Sequence, residues 1–241
     1  MHLKNFGTIF SESFSDYKKH FVLFTKVSFL LYFLPTVILS LLYMNTTKPL
    51  DVLVYGAGVQ VISGLFSVLL TFTIIKVLLL KRQNKEIGVR DALKHGTEHY
   101  FTGVMLAIIT NMALFGLYLL FIIPGIIFSV YWEFAYFALI TDNVGVTKAL
   151  SHSKKVVEGR WWTVLGYLIL FGLIIVALNF GTISIYALVS FIFSMYMKNT
   201  FLHESLRIIL MSLFEMLIIP FSMVFSEKMY LRLKETTKKL D

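Results

Sequence analysis

The sequence predicts an all-α integral membrane bundle of about six transmembrane helices, with short interfacial amphipathic helices between them. Three observations predict it. The 241 residues are 57% hydrophobic and only 15% charged, where soluble domains carry about a quarter charged residues, and mean hydropathy is +0.78. Apolar runs of the roughly 20 residues needed to cross a bilayer recur along the chain. Lys and Arg gather at alternate ends of those runs. Seventeen lie in 1–20, 81–99, 142–160 and 227–241, against two, Lys48 and Lys198, in the segments between. By the positive-inside rule this asymmetry predicts a multi-pass protein of the cell (inner or plasma) membrane with both termini cytoplasmic.

The runs follow in order. Residues 6–20 place Phe6, Phe10, Phe14, Tyr17 and Phe21 at helical spacing, with Glu12, Asp16 and Lys19 off that stripe, which predicts a helix lying in the headgroup plane. The first span is expected at about 21–43, with Lys26 snorkelling to the interface and a kink at Pro35. A polar loop at 44–51 leads to a second span at about 52–80. There Ser63, Ser67 and Thr71 form a small-residue stripe for close packing. A basic loop, 81–99, ends in an interfacial helix at about 89–99. The third span is expected at about 100–122, with Gly103, Ala107 and Asn111 on one face.

Pro124-Gly125 then interrupts 38 nearly uncharged positions, 104–141. A sharp reversal at the Pro-Gly pair gives a fourth span at about 126–141. The second basic loop holds an interfacial helix at about 147–158, whose apolar face is Ala149, Leu150, Ser153, Val156, Val157 and Trp161. The fifth span, about 161–179, opens on the aromatic anchor Trp161-Trp162. The marginal apolar run 181–197 is read as re-entrant or interfacial, because a crossing there would put the basic tail outside. The sixth span, about 206–225, carries Glu215 and Pro220. The first 20 residues show no cleavable-signal pattern, so the first span is expected to be retained.

Three segments share one plan: a small-apolar pair, basic residues, then aromatic residues opening a span. These are Ser13-Phe14 to Phe21, Ala92-Leu93 to Tyr100-Phe101, and Ala149-Leu150 to Trp161-Trp162. Two readings fit: ancestral duplication, since weak internal symmetry is common in membrane folds, or the common look of any interfacial helix that precedes a span.

One stretch supports a family resemblance. Ile123-Pro124-Gly125-Ile126 is followed by a span, Asp142, the run Val146 to Val157, and Gly159-Arg160-Trp161-Trp162. This order resembles a prokaryotic six-span superfamily that includes the membrane domain attached to some glycerophosphodiester phosphodiesterases and related uncharacterised membrane proteins. Pro220 and Tyr230-Leu231-Arg232 resemble its last span. The resemblance implies six spans and an inner-membrane address. It implies no catalytic role, since the chain ends at Asp241 and is expected to carry no phosphodiesterase domain.

The chemistry readable from residue types is limited. No cysteine is present, which excludes disulfides, thiolate metal sites and a cysteine nucleophile. No phosphate loop, dinucleotide fingerprint or Gly-x-Ser-x-Gly elbow occurs. His95 and His99 have metal-ligand spacing but no third ligand nearby, so no metal, cofactor or catalytic residue is expected. The net charge of +8 sits at the ends of apolar runs and points to membrane lipids rather than nucleic acid. A protein partner or oligomer is left open. Glu133 and Glu215 fall within apolar runs, where a carboxylate must be neutral, paired or wet. With Asn111 and Gln60, and Lys76 as a further partner for the acids, they form a candidate substrate or ion path. Lys154, Lys155 and Arg160 are candidate contacts to anionic lipid. The expected function is non-enzymatic, a transport or lipid-handling component. The alternative is a scaffold that organises lipid or a partner enzyme.

Overall fold

The computed structural model describes residues 5–43, 49–196 and 200–237. The loop positions 44–48, with Lys48, and the basic residues Lys4, Lys198, Lys238 and Lys239 lie outside the described residues. Among those described there are only helices: α1 (Phe6–Lys19), α2 (Phe21–Ser28), a π-helical turn (Phe29–Phe33), α3 (Leu34–Tyr43), α4 (Pro49–Arg82), α5 (Val89–Thr97), α6 (Tyr100–Leu120), α7 (Ile122–Trp132), α8 (Ala135–Thr141), α9 (Val146–Val157), α10 (Trp161–Tyr196) and α11 (Thr200–Thr237). Six stretches are long and apolar enough to cross a membrane. The chain is therefore a multi-span helical membrane protein.

The chain divides into three like units, each a short amphipathic helix followed by a hairpin of two spans. The units are α1 to α4, α5 to α8, and α9 to α11. The first two end alike. Asn84 (φ 57°) closes α4 and Asn143 (φ 50°) closes α8, left-handed positions that Asn tolerates. Gly88 and Gly145 then start α5 and α9 in extended conformation.

Each short helix packs on the second span of the preceding unit: α5 on α4, α9 on α7 and α8, and α1 on α11, which closes the ring. The first spans follow the same rule, with α6 against α4, α10 against α7, and α2 and α3 against α11. The fold is thus a ring of three units with approximate three-fold character, its basic loops and short helices at one end.

Each short helix meets its partner at an irregularity. Pro220, inside α11, cannot donate to the preceding turn. The Tyr17 hydroxyl from α1 donates to the nearby Leu217 carbonyl at 3.0 Å, one way membrane helices satisfy backbone freed near proline. The Phe221 ring meets Phe10, Phe14 and Tyr17 of α1 with centroids 5.5–6.0 Å apart. On α5, Gly96 lies so close to α4 that a Cβ there would overlap Thr73 Oγ1. Ser153 of α9 serves the break between α7 and α8.

The three short helices therefore turn their inner faces to protein, where the sequence suggested headgroups. The residues buried in α1 are Ile9, Ser13 and Tyr17, while Phe14 stays exposed and Phe6 and Phe10 pack at the edge of the core. In α9 the inner face is Ala149, Ser153, Val156 and Val157, with Leu150 and Trp161 at its margin and Lys148 and Lys155 outside. The helical period identified the inner face of α9 correctly, whereas in α1 the buried stripe of Ile9, Ser13 and Tyr17 is displaced from the phenylalanine stripe. Periodicity cannot distinguish lipid from a neighbouring helix.

Several span boundaries also differ from expectation. The reversal after α6 sits at Phe121 (φ −155°, ψ 133°), three residues before Pro124, which falls in the first turn of α7 where its missing donor is harmless. Gly125 is needed because the Tyr118 ring lies where its Cβ would be. The run 181–196 does not re-enter: it continues α10 without a break. At 1.5 Å per residue, α10 and α11 are about 54 and 57 Å long, well beyond the roughly 30 Å hydrocarbon core.

Candidate functional site

Several ion pairs collect where the spans meet the short helices. Asp142, just past α8, gathers four donors. His152 Nδ1 of α9 lies 2.8 Å from Oδ2, Lys234 Nζ of α11 pairs with Oδ1, Tyr230 OH donates at 3.4 Å, and Thr141 Oγ1 donates at 3.1 Å. Burial pushes the Asp142 carboxyl up, but the bonds from Lys234 and His152 outweigh it and hold it below the usual aspartate value. On the next seam Arg82, the last residue of α4, grips Glu227 of α11 with Nε at 2.8 Å and Nη2 at 3.1 Å. Lys228 reaches Asp16 of α1 at 2.5 Å. These ion pairs tie the ring together at its basic end.

Glu133 lies at the break between α7 and α8, with Ser226 Oγ of α11 donating to it at 3.5 Å. Next to it, Ser153 Oγ accepts from the Phe134 N–H at 3.1 Å and donates to the Tyr131 carbonyl at 2.7 Å, so one hydroxyl satisfies both sides of the broken helix. Ser153→Ala is expected to lower stability by about 1–3 kcal/mol, the cost of buried unpaired backbone groups. Thermal unfolding in detergent, with Ser153→Thr as the hydroxyl-keeping control, checks this.

The structure does not assemble the proposed path. Gln60, Asn111 and Glu215 are exposed on the outside of the bundle, and Asn111 donates back to its own Ala107 carbonyl at 2.8 Å. Glu215 lies eleven residues before Ser226 on α11, about 16 Å along the axis from the partner of Glu133. Lys76 pairs with Glu98 of the α5 end at 3.0 Å and not with Glu133. The two histidines part as well: His95 contacts Glu98 at 2.6 Å, and His99 contacts Asn143 at 3.0 Å. Among the described residues no cluster of metal-ligating side chains forms. Of the basic trio, Arg160 is committed to Thr236, Thr237 and the Val156 carbonyl. Lys154 lies over the Tyr131 ring at 5.7 Å, and Lys155 points outward.

A crevice absent from the sequence reading opens on the seam between α2 and α5. Its wider part, about 380 Å³, is lined by Lys18, Lys19 and His20 from the end of α1, Lys26 of α2, Lys81 of α4 and the start of α5. No carboxylate lines it. Burial, then the charges of Lys81 and Lys19, holds His20 below the usual imidazole value, so near neutral pH it is an uncharged hydrogen-bonding group.

From Lys26 and Val89 the crevice continues into a groove of about 350 Å³ with Thr25, Phe29 and Leu30, whose lining is almost wholly apolar. The π turn shapes this wall. The Leu34 N–H bonds the Phe29 carbonyl, in the turn just before Pro35, and π turns often mark functional positions in membrane and soluble helices alike. A side compartment of about 150 Å³ runs from Lys19, His20 and Lys81 to Asp16, Arg82 and Glu227.

Beside the crevice α2 and α5 still pack on each other, and the equivalent seams are in contact too. Phe6 of α1 packs on Tyr167 of α10 with centroids 5.7 Å apart, and His99 meets Asn143 between α6 and α9. From sequence, Lys26 is expected only to snorkel to the interface. Its position two turns from a cluster of lysines was the available signal. No protein-family model, curated protein or solved structure matches this chain.

Proposed function

We propose that the protein is a non-enzymatic, lipid-handling component of the cell membrane, with its basic end and both termini on the cytoplasmic side. The observation that carries this reading is the crevice between α2 and α5, cation-lined at the level of the short helices and apolar below Lys26. That division matches an amphiphile, polar end outward and chain inward. The basic asymmetry supports the orientation, and the resemblance of residues 123–162 to the six-span superfamily is consistent with the same address. Transport along a path of Glu133, Glu215, Asn111 and Gln60 has less support, since three of the four face outward.

The scaffold reading keeps one observation in its favour. The hairpin of α10 and α11 exceeds a bilayer in length, and most of the α10 surface is uncovered within the chain, which suits a partner helix.

The test of lipid handling is a plug. Leu30 is exposed in the groove, so Leu30→Trp fills it without entering the core. The variant is expected to purify with wild-type melting behaviour but to lose most of the lipid seen on the wild type by native mass spectrometry. Undiminished lipid on the plugged protein would remove the reading.

A further inference from the structure

Resting on that lipid-handling reading, we infer that the crevice is selective for an anionic glycerophospholipid from the leaflet at the basic end. Its phosphate would sit among Lys19, Lys26 and Lys81, and one acyl chain would run past Phe29 and Leu30.

The charge balance points to an anion. Four lysines line the wider part with no carboxylate among them. Two have other contacts: Lys18 lies over the Phe14 ring at 4.4 Å, and Lys81 meets the exposed Glu86 at 3.1 Å. Lys19 and Lys26 have no carboxylate partner among the described residues. Lys26 stands five residues inside the first span, about 7.5 Å along its axis. A cation at that depth is costly unless an anion or water compensates it, and it sits at the junction of the cationic and apolar parts.

The apolar part needs a chain rather than a free anion. Phe29 and Leu30 are exposed along it. A soluble phosphate would satisfy the lysines but leave the groove unused. The side compartment toward Asp16 and Glu227 gives a small headgroup substituent room beyond the phosphate.

The experiment titrates delipidated full-length protein in neutral detergent with phosphatidylglycerol, phosphatidylcholine, inorganic phosphate and glycerol 3-phosphate, reading bound adducts by native mass spectrometry. Wild type is expected to prefer phosphatidylglycerol over phosphatidylcholine. The double variant Lys19→Gln/Lys26→Gln is expected to weaken phosphatidylglycerol binding by about 30-fold, on the order of what two lysines near a membrane surface contribute, and to erase the preference. Both lysines are on the surface, so the variant is expected to melt like wild type, and Lys26→Arg should retain the preference. Equal binding of the two lipids, or a preference unchanged in the double variant, overturns the anionic assignment. If both lipids still depend on an open groove at Leu30, lipid handling stands without it. Phosphate or glycerol 3-phosphate binding as tightly as phosphatidylglycerol overturns the lipid as the source of the anion.

Discussion

Arg82→Leu is expected to destabilise the bundle by about 3 kcal/mol, the lower end of the loss seen when one partner of a buried ion pair is removed. Glu227 is 1% exposed while Arg82 is 41% exposed. The attraction itself is therefore partly screened, and the effect comes from the carboxylate left behind. Glu227 would have to stay charged in a closed site or take up a proton, and either reduces stability. Arg82→Lys should recover only part, since an ammonium cannot reproduce the two-nitrogen grip. The pair Arg82→Leu with Glu227→Leu should recover more than either single change predicts, because the buried charge is then gone. Melting midpoints of the four proteins in detergent check this. Additive losses would mean that the pair does not couple α4 to α11.

The sequence carried the spans well and the seams poorly. Six apolar runs, the helical stripe of residues 147–157 and the basic asymmetry are local signals, and the structure places helices on each run. The closing contacts join residues far apart in the chain: Tyr17 to Leu217, Arg82 to Glu227, Asp142 to Lys234. Nothing in local spacing specifies such partners. The internal repeat was visible in its first half, a short helix before a span. The second spans were read as spans but not as repeats of one another, because proline, a helix break and an unbroken 34-residue α4 replace one another there. Glu133 and Glu215 drew attention as acids in apolar runs, yet hydropathy could not tell which faced Ser226 and which faced outward. The 181–196 run was expected to turn back because a separate crossing there would put the basic tail outside; as a continuation of α10 it adds no span to the six.

The broken symmetry bears on function. All three seams between a first span and the following short helix are in contact; the one at α2 and α5 also carries the crevice, beside the π turn of residues 29–33 and Lys26. The π turn and a lysine within a span are departures from local regularity, and such departures are where functional sites concentrate.

Acidification should act on this ring through Asp142. That side chain is 13% exposed and ties α8, α9 and α11 together through His152, Tyr230 and Lys234. Its folded-state carboxyl titrates below the usual aspartate value despite burial, because Lys234 and His152 bond the charged form. A depressed folded-state value means that stability is fully present above the unfolded-state value and is lost as pH falls through the folded one. The wild type should therefore hold its melting temperature from neutrality down to the ordinary aspartate range near pH 4, then lose it on further acidification. Asp142→Asn keeps the shape and the Tyr230 acceptor but loses the charge. It is expected to cost about 2 kcal/mol near neutral pH, in the range for hydrogen bonds to charged groups, and to show a shallower acid limb. Asp142→Leu should cost more at every pH, since Tyr230 and Lys234 are then left without an acceptor. Melting curves recorded across that pH range on the three proteins separate the outcomes. A Asn variant with the same acid limb as wild type would mean that other carboxylates, such as Glu98 held below its usual value by Lys76 and His95, set the acid sensitivity of the ring.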